Sequence, residues 1–220
     1  MKRAYLAILA TSIAGFSSAN LIVGGDFETP VVGNGNYGVF NPGNPVPGWT
    51  VTGNDLLVID TNYAEPSNGI AVFNAYQGNQ YVDLTGSGNT GTGNGINQNI
   101  ATVVGTQYVI TWQEAVSYAN NGASVYTMPS IIDLSIDGGS RISFTNSDNS
   151  SLGHNNWHGQ SYTFTATSTS TNIAFFSGYG VPDNNNIGID AVSVEAVPEP
   201  MSFAVLGVGL AGVFLRRKKK

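Results

Sequence analysis

Short runs of β-branched and aromatic residues, separated by Gly, Asn and Pro, recur throughout residues 20–200. No segment of helical length repeats its apolar residues every 3.6 positions, which argues against helical and alternating α/β domains. The runs predict strands over 55–60, 69–75, 79–84, 95–101, 107–115, 131–136, 141–145, 160–167, 171–177 and 187–196. Ten short strands at this spacing predict an all-β, antiparallel sandwich.

Two local patterns support this fold class. Asp137-Gly138-Gly139 stands between two predicted strands, and these residue types accept the positive φ that a tight hairpin needs. Along residues 160–167, Tyr162 and Phe164 alternate with threonines, which predicts one buried and one exposed strand face. The tryptophans lie within or beside apolar strand patterns, so we expect core positions for Trp49, Trp112 and Trp157.

The first nineteen residues have the organisation of a secretory signal peptide. Lys2 and Arg3 form a basic start, residues 4–16 are apolar, and the small residues Ser17 and Ala19 follow. This order predicts export and cleavage by signal peptidase after Ala19. A retained N-terminal anchor is the alternative, but the apolar run is short for a membrane span.

The last residues form an apolar run followed by a basic end. Residues 201–215 carry no charge, and five cations close the chain: Arg216, Arg217, Lys218, Lys219 and Lys220. The pattern predicts a transmembrane helix whose basic end stays in the cytoplasm, with flanking residues compensating for its modest length. A buried C-terminal helix of a soluble core fits five consecutive cations poorly.

Pro198, Glu199 and Pro200 directly precede the apolar run. The order of Pro-Glu-Pro, apolar span and basic end resembles the PEP-CTERM sorting signal of bacteria. The resemblance implies that an exosortase recognises the motif, removes the helix and passes the protein to the cell surface, outer envelope or exopolysaccharide matrix. The predicted organisation is a signal peptide over 1–19, a β-sandwich over 20–196 and a sorting signal over 197–220.

The charge and the cysteine content of the mature domain limit the classes of partner and the chemistry that it can have. Residues 20–200 contain fourteen acids and one cation, Arg141, a formal charge of −13. Such a surface cannot neutralise phosphates, so nucleic acid and anionic lipid are unsuitable partners. Carboxylates in excess keep an exported protein soluble or bind divalent cations. The chain has no cysteine, which excludes disulfides and thiolate chemistry.

Six passages of the mature chain form a recognisable series: 20–30, 46–51, 78–86, 95–112, 157–177 and 187–200. In their order, these passages resemble the galactose-binding-like jelly rolls of carbohydrate-binding modules and the bacterial "choice-of-anchor" domains. The resemblance implies a jelly-roll sandwich in which a structural calcium ion ties the first strand to the last. It places Glu28 and Asp190, with Asp26 as a further candidate, among the calcium ligands. Alternatively, these acids cap turns or accept backbone hydrogen bonds.

Two predicted loops, 117–128 and 177–188, combine tyrosines with amides and an acid, the groups that stack on sugars and bind their hydroxyls. The candidate ligand-binding residues are Tyr118, Asn120, Asn121, Tyr126, Tyr179, Asp183 and Asn184. The alternative is that these asparagines are ordinary turn residues and that the tyrosines close the sandwich edges.

Two short motifs resemble cofactor-binding or metal-binding patterns, but their predicted structural surroundings do not fit those roles. Residues 86–91 match G-x-G-x-x-G, but a predicted strand follows where the dinucleotide fingerprint needs a helix. His154 and His158 lie in loop composition and lack the HExxH pattern, so we expect solvated or turn histidines. We therefore predict a non-catalytic carbohydrate-associating protein, with a purely structural matrix protein as the alternative and a secreted glycan-active enzyme third.

Overall fold

Two antiparallel sheets pack face to face in the computed structural model, which describes residues 19–88, 93–119, 126–178 and 185–198. The described strands are β1 (Tyr37–Phe40), β2 (Thr50–Thr52), β3 (Leu56–Asp60), β4 (Gln80–Asp83), β5 (Gly95–Ala101), β6 (Gln107–Tyr118), β7 (Ser130–Ile136), β8 (Ile142–Asn146), β9 (His154–Thr165), β10 (Ser170–Ser177) and β11 (Ile187–Ala196). A single 3-10 turn, Pro66–Asn68, is the only helical element among these residues. The predicted antiparallel sandwich is confirmed, and the predicted signal and C-terminal helices lie outside the described residues.

The six-stranded sheet has the order β1-β3-β4-β11-β6-β9, and the five-stranded sheet has the order β2-β5-β10-β7-β8. β6 and β9 pair along their full length, from Gln107 opposite Thr165 to Tyr118 opposite His154. The last strand, β11, lies between β4 and β6 inside the six-stranded sheet. The end of the domain is therefore part of the sheet interior and not an appendage.

The space between the sheets is filled by alternating inward side chains of both sheets. Trp112 is 1% exposed and meets Phe144 and Phe175 edge-on, with ring centroids 4.7 and 5.2 Å apart. Trp49 is also buried, and its indole N–H donates to the Gly24 carbonyl at 2.9 Å. These two core predictions are confirmed, whereas Trp157 is half-buried and packs on the outer face of the six-stranded sheet.

The first and last segments of the domain are joined by backbone hydrogen bonds. The Leu21 N–H donates to the Val194 carbonyl, and the Val192 N–H donates to the Gly25 carbonyl, both at 2.9 Å. The side-chain oxygen of Asn20 accepts from the Val194 N–H at 3.0 Å. The region where the first residues meet β11 also holds a bulge at 190–193, where Ala191 has a φ of 51°.

Three sequence predictions about strands need correction. Residues 69–75 form no strand; they make only isolated bridges and lie over the outer face of the six-stranded sheet. His154 and His158 lie in β9, which begins at His154 and not at residue 160. The short strands β1 and β2 were not predicted, because three or four residues rich in Gly, Thr and Tyr give no clear alternation. None of the described residues forms a helix long and apolar enough to cross a membrane.

Candidate functional site

The outer face of the six-stranded sheet carries a second apolar cluster. Successive residues of a strand point to opposite faces, so Leu56 and Val58 of β3 enter the core between the sheets while Leu57 and Ile59 point outward. The segment after β3 folds back and lays Phe73 on these outward side chains. We call the apolar layer on this face the outer cluster: Leu57, Ile59, Ile70, Phe73, Tyr81, Ala119 and Tyr126.

A pocket opens at one side of the outer cluster, and we call it the tyrosine pocket. Its cavity measures about 60 Å³, and the lining residues are Tyr37, Leu57, Ile59, Tyr63, Glu65, Phe73, Ser87, Tyr126 and Asn186. This volume holds a few water molecules but not a sugar ring. A larger ligand would therefore rest across the rim and insert only a small group.

Among the residues that the structure describes, Glu65 is the acid that lines the tyrosine pocket. Its Oε1 accepts from the Tyr63 hydroxyl at 2.5 Å, and its Oε2 accepts from the Tyr126 hydroxyl at 2.7 Å and the Asn68 amide at 2.8 Å. Burial raises the pKa of Glu65, but the hydrogen bonds from Tyr126, Tyr63 and Asn68 outweigh burial and hold the pKa below its ordinary value. The carboxylate therefore stays ionised at neutral pH.

Aromatic rings lead from the surface into the tyrosine pocket. Tyr37 is 46% exposed and meets Tyr63 edge-on at 5.2 Å between ring centroids. Tyr63 contacts Phe73 at 5.4 Å, and Phe73 meets Tyr126 edge-on at 5.5 Å. Such edge contacts fix ring orientation. Tyr37 is thus an exposed aromatic surface that rests on Tyr63 and lines the same pocket as the Glu65 carboxylate.

Polar groups lie next to the outer cluster. Asn186 receives the Tyr81 hydroxyl at 3.2 Å and the Ser117 hydroxyl at 3.1 Å, so Asn186 joins β4, β6 and the start of β11. The Trp157 indole N–H donates to the Asn74 carbonyl at 3.0 Å and fastens the covering segment to β9. The bond from Trp157 therefore holds the segment that carries Phe73, a residue of the pocket wall.

The structure describes two of the seven predicted ligand-binding residues. Tyr118 ends β6 and is half-buried, so it lies on a strand and not in a loop as predicted. Tyr126 is 3% exposed and lies in the tyrosine pocket, which brings it to Glu65. The other five lie outside the described residues: Asn120, Asn121, Tyr179, Asp183 and Asn184.

Sequence reasoning missed Tyr37, Tyr63 and Glu65. Tyr63 and Glu65 follow directly after β3, whose five residues are all buried. An aromatic residue and an acid two positions apart, just after a fully buried strand, was the available signal. No sequence signal pointed to Tyr37, because the pairing of β1 with β3 is what brings it to the pocket.

Glu28 and Asp190, the predicted calcium ligands, bind the same loop. Asp190 Oδ2 accepts from the N–H groups of Tyr76 and Gln77 at 3.1 Å. Glu28 Oε1 accepts from the N–H groups of Asn79 at 2.7 Å and Gln80 at 3.0 Å. The alternative interpretation, acceptance of backbone hydrogen bonds, describes these contacts.

The fit of this pair to calcium is partial. Asp190 Oδ1 accepts a single hydrogen bond, from Ala191, and Glu28 Oε2 accepts one at 3.4 Å from Asn79, so each carboxylate keeps one oxygen with spare capacity. Calcium takes about six to eight oxygen ligands. Asp26 is exposed, and the described part of the chain contains no group of three His, Cys, Asp or Glu side chains arranged for a metal. Calcium stays a prediction, and it requires further oxygen ligands such as backbone carbonyls.

Of the sorting motif, the structure describes Pro198, which is exposed; Glu199, Pro200 and the basic residues 216–220 lie outside the described residues. The fold and the tail together define a class: a β-sandwich domain followed by a sorting signal. The chain belongs to the family described as "protein of unknown function (DUF642)", whose profile matches residues 20–195. The PEP-CTERM protein-sorting motif matches residues 196–219, as the tail predicted. This motif marks an exported protein that is processed by exosortase and sorted to the cell envelope.

Solved structures share the sandwich. A Stig cyclase, Fisc, from Fischerella sp. TAU in complex with (3Z)-3-(1-methyl-2-pyrrolidinylidene)-3H-indole has a TM-score of 0.57 at 16% identity, over 84% of this chain and 100% of that chain. A cyclase from the same organism with 4-(1H-indol-3-yl)butan-2-one has a TM-score of 0.53 at 17% identity, over 81% and 97%. A carbohydrate-binding module, TmCBM61, with beta-1,4-galactotriose has a TM-score of 0.45 at 16% identity, over 82% and 100%. At these identities the likeness to the two cyclases concerns the fold alone. No curated protein matches the sequence.

Proposed function

We propose that the mature domain is a non-catalytic module that binds carbohydrate at the tyrosine pocket and associates with extracellular polysaccharide. The observation that carries the proposal is that the exposed ring of Tyr37 and the ionised carboxylate of Glu65 line the same pocket. An aromatic face stacks on the C–H surface of a sugar, and a carboxylate accepts hydrogen bonds from its hydroxyls. The small cavity favours recognition of a chain across the rim over enclosure of a free monosaccharide.

The charge of the domain narrows the ligand class. Residues 20–200 have a formal charge of −13, so an acidic polysaccharide is repelled at low ionic strength. We therefore expect neutral glycans to bind more tightly than uronate-rich ones.

Delivery is the second part of the proposal. Signal peptidase removes residues 1–19, and residues 201–215 hold the precursor in the inner membrane with the sandwich outside. Exosortase cleavage near Pro198–Pro200 then releases the sandwich to the cell surface, outer envelope or matrix. Mass spectrometry of the surface protein is expected to find a C-terminus before Lys220.

Affinity electrophoresis of the purified protein in gels that contain neutral or acidic polysaccharides tests the binding. We expect Tyr37→Ala and Glu65→Gln to weaken retardation about tenfold each, the effect of losing roughly 1.4 kcal/mol of contact energy. Tyr76→Ala is the matched control, because Tyr76 is 50% exposed but does not line the pocket. If all three variants are retarded as strongly as the unaltered protein, the tyrosine pocket is not the binding site. If no glycan retards the unaltered protein, the purely structural role is favoured.

A further inference from the structure

Two adjacent valines form the exposed tip of the turn between β5 and β6. Val103 is 64% exposed and Val104 is 59% exposed. Exposed turns ordinarily use Gly, Pro, Asn, Asp or Ser, and single exposed apolar residues need no explanation, but two neighbours at a turn tip are unusual. The segments that meet here, 102–106 and 166–169, contain no charged residue in a domain that is otherwise acidic.

The turn is rigid. The Thr106 N–H donates to the Val103 carbonyl at 3.0 Å, and Gly105 supplies the φ of 83° at the third turn position. Gly105 and Ala166 are linked by a backbone hydrogen bond of 2.8 Å, which ties the turn to the segment after β9. The two valine side chains are thus held at the surface by the backbone, although burial would be more favourable for them.

The turn lies at the end of the sandwich where the chain leaves it. Ala196, the last residue of β11, is paired with Tyr108, and the Tyr108 hydroxyl accepts the Val103 N–H at 2.9 Å. The uncharged run begins at Met201, five residues after Ala196. Five residues extend by at most about 18 Å, so a precursor held by residues 201–215 keeps this end of the sandwich near the lipid.

We propose that Val103 and Val104 insert into the lipid interface and orient the sandwich on the membrane until the precursor is cleaved. This inference rests on the proposed membrane passage of residues 201–215. The partner is the apolar zone just below the headgroups, because an uncharged tip offers nothing to bind anionic headgroups. The opposite end of β6 then faces away from the bilayer.

The test uses the full chain, which contains no cysteine, with one cysteine introduced at Val104→Cys and labelled with an environment-sensitive fluorophore. The matched control is Leu152→Cys: Leu152 is 56% exposed and precedes Gly153, which hydrogen-bonds to Tyr118 at the far end of β6. In zwitterionic lipid vesicles we expect a blue shift at position 104 and quenching by spin-labelled acyl chains, with water-like emission at position 152.

Each outcome separates the inference from the sorting proposal. If the protein floats with the vesicles but position 104 emits as position 152 does, lipid insertion is wrong and the membrane tail stands. If the protein fails to float at all, the membrane passage of residues 201–215 is wrong, and the inference falls with it. A shift at 104 that requires an added protein would assign the turn to a protein partner and also overturn lipid insertion.

Discussion

The outward side chains of β5, in the five-stranded sheet, are the amides of Asn97 and Asn99, whereas the outward side chains of β3, in the six-stranded sheet, lie under a second apolar layer. In β5, Ile96 and Ile100 are buried while Asn99 is exposed, and the Asn172 amide donates to Asn99 Oδ1 at 2.9 Å. In β3 all five residues are buried. A continuous buried run among alternating strands therefore marks the sheet face that supports the pocket.

The largest expected effect removes the cover from the six-stranded sheet. Phe73→Ala deletes a side chain that is 1% exposed and contacts both Tyr63 and Tyr126, so we expect a loss of about 3–5 kcal/mol in the free energy of unfolding. Denaturant unfolding measures it. Asn99→Ala on the open face is the control, with a change within about 0.5 kcal/mol. Similar losses for both variants would break the distinction between the faces.

The second effect concerns the buried acids and pH. Burial raises the pKa of Asp83 to about 7, that of Asp190 to about 7 and that of Glu114 to about 8. Unfolded Asp and Glu release their protons near pH 4, so between about pH 4 and 8 the folded state binds more protons than the unfolded state. Stability is therefore expected to fall as pH rises through this window.

Thermal melts at about pH 5 and about pH 8 measure this slope. Asp83→Asn removes one of the three groups and is expected to flatten the slope. A midpoint that is higher at pH 8 than at pH 5 in the presence of a chelator would contradict the direction.

The smallest expected effect is the stabilisation by calcium where the first segment of the domain meets its last strand. If calcium uses the spare oxygens of Glu28 and Asp190, calcium at ten times its dissociation constant stabilises the fold by about 1.4 kcal/mol. The gain is expected to be larger at pH 8, because calcium and a proton compete for Asp190. Melts with calcium or EGTA measure it, with Glu28→Gln as the variant that loses the response. An unchanged midpoint would remove calcium from the account.

The strands were predicted well where the backbone hydrogen-bond ladder covers the same residues as the apolar pattern. β5 and β11 were predicted with their observed bounds, and Asp137, with a φ of 51°, forms the expected hairpin. The strand prediction for residues 69–75 was wrong. Ile70 and Phe73 are buried because they cover the face of a sheet, and they do not pair within one. An apolar pattern reports burial, and burial alone does not identify the backbone hydrogen bonds.

The tyrosine pocket was largely beyond sequence reasoning. Tyr126 was selected for the chemistry of its side chain, but its partner Glu65 lies sixty-one positions away. Tyr37 joins them only through an edge strand of four residues. No local pattern relates these three segments, since the fold brings them together by pairing β1 with β3 and laying the following segment over the sheet.

Hydrogen bonds of Asn20, Leu21 and Gly25 with Val192 and Val194 join the first segment of the sandwich to its last strand. Residues 20–196 form their own compact unit, and these bonds are made by residues inside it. Removal of the sorting signal after Ala196 is therefore expected to leave the folded sandwich intact. The same domain, fused to a different C-terminal signal, is expected to reach a different location with its fold and surface unchanged.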